Sequence, residues 1–526
     1  MLAANVALHS AHDLIPVPHF EQVVAPLFVW MLRYSVIVFG VNEYALRLVP
    51  LMAGCATVPL VWLAARRSIG PRPALIATWL TAITPALLLH SAEAKPYSVD
   101  AFVAVAIVAL TVRVIRAPRA RRNWLELGVG GLAGVGLSVA APFVLAASGG
   151  AIAVAGGPRT TRYARRALAL GVVWAIAFLA LYVLVYRAEP ARSYMRHFWA
   201  WAFLSAQPSV AAAARVAWEG LIASFLVRDA PLGGALIVIA IAVGLVGCAR
   251  RSWWLAILLA GPLALALVAS FATLYPIGGR TGSVTVPTAA MLAAMGVAVL
   301  AQTAARSRRG VRGLVISALV LFEPAVESVW LAVRARSAEE PRQIVHDFLQ
   351  QARPTEPVYV FVRGVPDWVM YTTDWSTADT TRPLRLIRAV SRLGPNSGNA
   401  LPRGHRVVGE GDELRFPFRR SVELIGTPTG VEDLALRPPA QAEPDSGWAE
   451  NEMRRIVVEA RPTVWVVLLH HRASATRQLL SALCAAGARV SYASARREAA
   501  AYRMEFDGAE GSASCRAATN VDRLTP

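Results

Sequence analysis

Runs of about 20 apolar residues constrain this chain more than any other feature, because each is long enough to cross a bilayer. Roughly ten can be drawn: 45–64, 73–90, 97–115, 125–140, 141–156, 167–186, 232–248, 252–272, 284–304 and 313–333. The pair within 125–156 is the least secure, since each half is short. With 56% of residues hydrophobic, the chain is too apolar for a soluble globular protein. The expected fold class is a multi-pass α-helical membrane protein with a C-terminal extracytoplasmic α/β soluble domain. Three parts follow: an outer loop with juxtamembrane helices at 1–44, a transmembrane domain at 45–333, and the soluble domain at 334–526.

Charge orients the spans. The net charge is +19, which in a soluble protein would suggest nucleic acid. Here the arginines sit in short loops between apolar runs, so nucleic acid is discounted. Arg66, Arg67 and Arg72 follow the first run, and Arg113, Arg116, Arg119, Arg121 and Arg122 follow the third. Arg159, Arg162, Arg165 and Arg166 follow the fifth, Arg250 and Arg251 the seventh, and Arg306, Arg308, Arg309 and Arg312 the ninth. The intervening loops are poorer in Arg. The positive-inside rule then puts the odd-numbered exits in the cytoplasm of a bacterial inner or plasma membrane. Residues 1–44, the stretch 90–100, the segment 187–231 and the loop 273–283 fall outside. An outside residue 1–44 implies one further span upstream of Met1. The start shows no signal peptide pattern.

One outer stretch stands apart. HSAEAKPYSVD, residues 90–100, holds Lys95, the only lysine among 53 Lys plus Arg. Lysine is a compact point charge, whereas arginine is a planar fork. A lysine at a membrane surface can simply snorkel. The alternative is an anion site at a helix start, with Pro96 as the first helical residue and backbone N–H groups beside the ammonium.

The remaining outer segments are mixed. Residues 187–231 carry Arg187, Glu189, Arg192, Arg196, His197, Trp199, Trp201, Arg215, Trp218 and Glu219 among small apolar residues. Such a segment suits a helix lying in the headgroup layer, or the wall of a substrate cavity. Glu323, Pro324 and Glu327 interrupt the last run, and ionisable groups within a span invite a functional reading. In the tail, strands are expected at 358–362, 463–471, 488–494 and 500–506, with a helix over 475–486 closed by Gly487. Cys484 and Cys515 could pair in an oxidising exterior. No Cys or His ligand spacing indicates a structural zinc site.

Three outer motifs occur in order: FEQVVAPLFVWMLRYSVIVFGVNEYALRLVPLMAG at 20–54, SAEAKPYSVDAF at 91–102, and YPIGGRTGSVTVP at 275–287. Together they resemble the membrane glycosyltransferases of the GT-C class. That class includes the dolichyl-phosphate-mannose protein mannosyltransferases and the aminoarabinose and lipopolysaccharide sugar transferases. The resemblance runs from about residue 1 to 335 and leaves the tail unmatched. It implies a sugar on a polyprenyl phosphate as donor, and a protein, lipid or glycan hydroxyl as acceptor. It also implies that Lys95 and Arg280 hold the departing phosphate, with Glu93 and Tyr97 orienting Lys95 or the phosphate. Tyr275, Gly278 and Gly279 would support that site, the glycines by letting backbone approach a headgroup.

No cofactor is expected. A divalent metal stays open, because some relatives of the fold use one while no ligand cluster here demands it. The resemblance places the family's acidic base in the first outer loop, before a stretch like MLAANVALHS, which here begins at Met1. That acid is therefore expected upstream, and neither Asp13 nor Glu21 matches it. Two other readings stand beside a transferase. One is an inactive paralogue that binds lipid-linked sugar or assists envelope assembly. The other is a lipid or solute transporter, a class that favours internal repeats, and none is seen.

Overall fold

The computed structural model describes residues 2–18, 22–156, 161–187, 199–222, 225–226, 231–305, 310–333, 341–353, 356–360 and 364–373. Beyond these it describes 414–416, 420–422, 449–450, 462–469, 473–496 and 499–506, with a few single positions between. The chain forms two compact units, one of Ala11–Val17 and Val23–Ala335, the other of Met1–Ser10, Pro18–Gln22 and Arg336–Pro526.

The larger unit is helical. Its elements are α2 (Pro26–Phe39), α3 (Glu43–Ser68), α4 (Pro71–Ala82), α5 (Pro85–Ser91), α6 (Tyr97–Arg116), α7 (Arg121–Leu137), α8 (Ala141–Gly156) and α9 (Thr161–Leu181). Then come α10 (Val210–Ile222), α11 (Pro231–Arg251), α12 (Trp253–Phe271), α13 (Val286–Ala305) and α14 (Gly310–Val333). Among the described residues six helices are long and apolar enough to cross a membrane, or seven if the bent pair α4–α5 is one span. All ten runs drawn from the sequence fall on helices, but α7 and α8, at 17 and 16 residues, stop short of a full crossing. The run 73–90 is broken by 53°. Pro85 opens α5 without an N–H, and the Ile83 N–H has already turned back to the Thr81 and Trp79 carbonyls. The Ser328 hydroxyl donates to the Ile83 carbonyl at this break.

Helix direction sorts the charges. The α3 cap residue Asn42 accepts from the Ala45 N–H at 2.8 Å, and the helix closes on Arg66 and Arg67. At that closing end Arg251 Nη1, the last residue of α11, donates to the Ile69 carbonyl at 3.1 Å. Arg113 and Arg116 close α6. The arginine-bearing ends of α3 and α11 therefore meet, and the start of α6 lies at the opposite end of its helix from its arginines.

Close backbone approach sets the packing around the start of α6. A Cβ on Gly54 of α3 would stand 2.0 Å from Ser91 Oγ, so only glycine lets α5 in here. Ser98 Oγ, in the first turn of α6, donates to the Pro50 carbonyl of α3 at 2.9 Å. On the far side, Gly244 of α11 and Gly296 of α13 pack backbone against backbone.

The smaller unit is an α/β domain. It comprises α1 (Leu2–Leu8), α15 (Pro341–Gln351), β1 (Val358–Val360), α16 (Val365–Thr372), β2 (Leu414–Phe416), β3 (Arg420–Val422), β4 (Thr463–Leu469), α17 (Ala473–Ala485), β5 (Arg489–Arg496) and β6 (Ala499–Glu505). Its main sheet runs β1-β4-β6-β5, with β1 parallel to β4 and the other pairs antiparallel. Strand β4, TVWVVLL, is buried on both faces, which is why it reads as an unbroken apolar run. Trp465, Val467 and Leu469 enter one core with Phe348 of α15 and Trp368 of α16. Val464, Val466 and Leu468 enter the other with Leu479, Leu480 and Leu483 of α17. Leu8 of α1 joins the first core, so the start of the chain is built into this domain. Gly487, at φ +88°, ends α17 as its position suggested. Cys484 is disulfide-bonded, while Cys55 and Cys248 are free; Cys515 lies outside the described residues.

Candidate functional site

The site forms where the turn before α6 meets the turn before α13. After α5 the chain tightens, with the Lys95 N–H donating to the Glu93 carbonyl at 2.7 Å. Pro96 takes the cap position, one residue earlier than its expected place inside the helix, and α6 starts at Tyr97. This delivers Glu93, Lys95 and Tyr97 to one short arc. The second turn is YPIGGR, followed by a 3-10 segment over Gly279–Thr285 that leads into α13.

Arg280 joins the two arcs. Its guanidinium carbon lies 5.5 Å from the Tyr97 ring centre and 5.6 Å from that of Trp199, both cation–π distances. The His90 and Tyr97 rings are 5.1 Å apart. His90 Nδ1 stands 3.5 Å from Glu93 Oε2, an ion-pair distance rather than a hydrogen bond. Burial pushes the Glu93 carboxyl up, but its interaction with His90 and the positive charges of Arg280 and Lys95 outweigh this and hold it below its ordinary value. Glu93 is therefore an anion that both Lys95 and Arg280 feel. The two cations, distant in sequence, share one electrostatic neighbourhood.

The supporting residues have separate tasks. Tyr275 Oη donates to the Thr281 carbonyl at 2.9 Å, and its ring meets Phe143 edge-on at 5.1 Å. Burial first, and then the nearby Asp100 and Tyr97, push this phenol well above its ordinary value, so it stays a donor. Gly279 has φ +51° and open space where a Cβ would stand, which suits close approach by a headgroup. Gly278 differs. A Cβ there would lie 2.8 Å from both the Ala202 Cβ and the Trp201 ring, so its smallness admits protein rather than ligand. The Thr281 hydroxyl donates to the Pro276 carbonyl at 2.8 Å and accepts from the Gly278 N–H at 3.1 Å.

Asp100, 7% exposed, sits in the first turn of α6 and is hydrogen-bonded to Ser138. The sequence places it in the same motif as Lys95, but its burial comes from the fold. Trp199, which the sequence placed in a segment suited to the headgroup layer or to a cavity wall, is the residue of that segment that reaches Arg280. Glu189, Arg192, Arg196 and His197, from the same segment, lie outside the described residues. Glu323 stands apart from the site, its carboxylate in the space a Cβ on Gly233 of α11 would fill. Glu327 is buried. Among the described residues no group of three or more His, Cys, Asp or Glu side chains could hold a metal ion.

Comparison with known proteins bears on the fold. The fold is similar to that of ArnT. Residues 23–186, which include Glu93, Lys95 and Tyr97, match the family model of the dolichyl-phosphate-mannose-protein mannosyltransferases. The crystal structure of ArnT from Cupriavidus metallidurans bound to undecaprenyl phosphate shares the fold, with a TM-score of 0.51 at 15% identity, over 96% of this chain and 93% of ArnT. The oligosaccharyltransferase AglB of Archaeoglobus fulgidus, in complex with an inhibitory peptide and a dolichol-phosphate, is a more distant match. It gives a TM-score of 0.45 at 13% identity, over 95% of this chain and 70% of AglB. At these identities the likeness is one of fold. No curated protein matches the sequence.

Proposed function

We propose that this chain is a glycosyltransferase that moves a sugar from a polyprenyl-phosphate donor to an acceptor hydroxyl at the outer face of the membrane. The observation that carries this reading is Arg280, from the third motif, lying 5.5 Å from the ring centre of Tyr97, two residues along from Lys95. In such a transfer the acceptor oxygen attacks the anomeric carbon. The bond from that carbon to the phosphate oxygen breaks, and its electron pair stays on the phosphate. Fixed cations stabilise the charge that builds there, and Lys95 and Arg280 suit that task. The hydroxyl proton passes to a base that is assigned to none of the described residues. The glycines suit opposite sides of this turn, Gly279 toward ligand and Gly278 toward protein.

Sidedness has two supports. The cluster lies at the start of α6 while Arg113 and Arg116 close that helix, which the positive-inside rule turns toward the cytoplasm. The disulfide at Cys484 suits an oxidising exterior for the α/β domain.

The test is release of undecaprenyl phosphate from a panel of undecaprenyl-phosphate-linked sugars, with the full chain in proteoliposomes. Lys95→Ala and Arg280→Ala are each expected to lower turnover about a hundredfold or more at unchanged expression. Unchanged turnover would remove these residues from the mechanism. Binding of undecaprenyl phosphate with no turnover of any donor would favour the assembly-partner reading instead.

A further inference from the structure

Arg280 is exposed and sits in a turn, two properties that ordinarily leave a guanidinium free to wander. A phosphate seat needs the opposite, donors held in place before the anion arrives. The fold supplies a holder from an unexpected direction.

The residues 199–207, far from both motifs in sequence, run alongside the turn that carries Arg280. The Ile277 N–H donates to the Ala202 carbonyl at 2.9 Å. Ser270 Oγ donates to that same carbonyl at 3.2 Å and accepts from the Leu204 N–H at 3.3 Å. The glycine at 278 brings the two segments into contact. These bonds place Trp199, only 5% exposed, against Arg280, with the Trp201 ring 5.7 Å behind it. Tyr97 is the second ring beside the guanidinium. A tryptophan face is the strongest cation–π partner among the aromatic side chains, and the contact gains strength where water is excluded.

We infer that Trp199 is a positioning residue for the lipid-phosphate seat: its ring holds the Arg280 guanidinium toward the anion, and the segment 199–207 is the wall that sets this geometry rather than a scaffold lying on the membrane. The inference rests on the reading of Arg280 as a phosphate ligand. It assigns Trp199 no contact with the reacting atoms.

The experiment measures equilibrium binding of radiolabelled undecaprenyl phosphate, and of undecaprenol as the uncharged reference, to the full chain in detergent. The proteins are wild type, Trp199→Ala, Trp199→Leu, Trp199→Phe, Arg280→Ala and the Trp199→Ala/Arg280→Ala double variant. Trp199→Leu keeps an apolar filler without a π face, so it serves even where the alanine variant folds poorly. Trp199→Ala and Trp199→Leu are expected to weaken undecaprenyl phosphate binding about three- to thirtyfold, with undecaprenol binding unchanged and Trp199→Phe largely restored. In the Arg280→Ala background the Trp199 substitution is expected to add little.

Equal losses for undecaprenyl phosphate and undecaprenol, or equal losses with and without Arg280, would give Trp199 a merely structural role and overturn the inference. Unchanged binding in Trp199→Leu while Arg280→Ala binds weakly would overturn it too, and leave the phosphate reading standing. Unchanged binding in Arg280→Ala would sink both together.

Discussion

The seam between α11 and α13 offers a quantitative test of how the site is held. A Cβ at Gly244 would stand 1.8 Å from the Leu292 carbonyl oxygen, and one at Gly296 would stand 1.9 Å from the Ala240 carbonyl oxygen. Real Cβ contacts essentially never fall below 3.0 Å. Both struck atoms are main chain, so no rotamer can yield, and Gly244→Ala must part the helices by roughly 1.2 Å. Overpacking of this kind costs about 1–3 kcal/mol, and the immovable partner puts this case at the upper end, about 3 kcal/mol. The seam also loses dispersion contacts along its length. One separation relieves both clashes, so Gly244→Ala/Gly296→Ala should cost clearly less than the two single variants added together.

Because α13 directly follows the 3-10 segment that begins beside Arg280, the same displacement should weaken undecaprenyl phosphate binding. Gly149→Ala on α8 and Gly171→Ala on α9 are the controls. Their added Cβ meets nothing within 4 Å, so they should be neutral or gain up to about 1 kcal/mol from helix propensity. The assay is thermal unfolding of the full chain in detergent by circular dichroism, with gel filtration to check dispersity. A Gly244→Ala variant that melts with wild type, or a double variant whose cost is the full sum, would refute the argument.

Three further outcomes are expected. In the α/β domain Glu356, 7% exposed, accepts from Arg503 Nη2 at 2.6 Å and Nε at 3.1 Å, from Trp465 Nε1 at 2.7 Å and from the Arg353 N–H at 3.1 Å. Burial raises this carboxyl, but those donors hold it below its ordinary value. Its charge therefore stabilises the domain above the unfolded pKa of about 4.3, and that contribution is lost as pH falls through the lower folded value. Glu356→Ala should cost about 1–3 kcal/mol at neutral pH, since Arg503 keeps Glu505 as a partner. The gap between wild type and Glu356→Gln in hydrogen exchange over 463–469 should narrow as pH falls below about 4.3; a gap that stays flat would contradict the sign. Cys484 should react with a membrane-impermeant maleimide on intact cells only after reduction, and labelling confined to lysed cells would place the domain inside. Glu93→Gln should weaken undecaprenyl phosphate binding about two- to fivefold, a modest effect because the carboxylate is partly exposed; tighter binding would show that Glu93 repels the phosphate instead of orienting its cations.

Much of this fold was legible in the chain because its signals are local. A bilayer demands apolar helices, so every run drawn from composition is helical, though α7 and α8 are short and 73–90 is split between α4 and α5. The four strands of the main sheet lie within a residue or two of their apolar runs for the same local reason. A lone lysine among 53 basic residues marked the first arc of the site, and the motif order marked the second. Other features depend on packing. Whether a short apolar helix such as α8 crosses a membrane depends on its neighbours. The bend of α4–α5 arises from Pro85 together with hydrogen bonds around Ile83.

The sequence by itself determined the apolar helices, the arginine bias of the loops between them, the strands of the α/β domain and the two candidate cations. Only the tertiary structure decided that Arg280 reaches Tyr97 of the Lys95 turn, that Trp199 backs Arg280, and that Leu8 belongs to the core of a domain encoded hundreds of residues later. The division has a physical cause. Apolar periodicity and charge bias act between residue and solvent, and each residue carries them alone. Cation–π contacts, shared electrostatics and glycine seams act between residues, and they exist only once the chain has brought distant segments together.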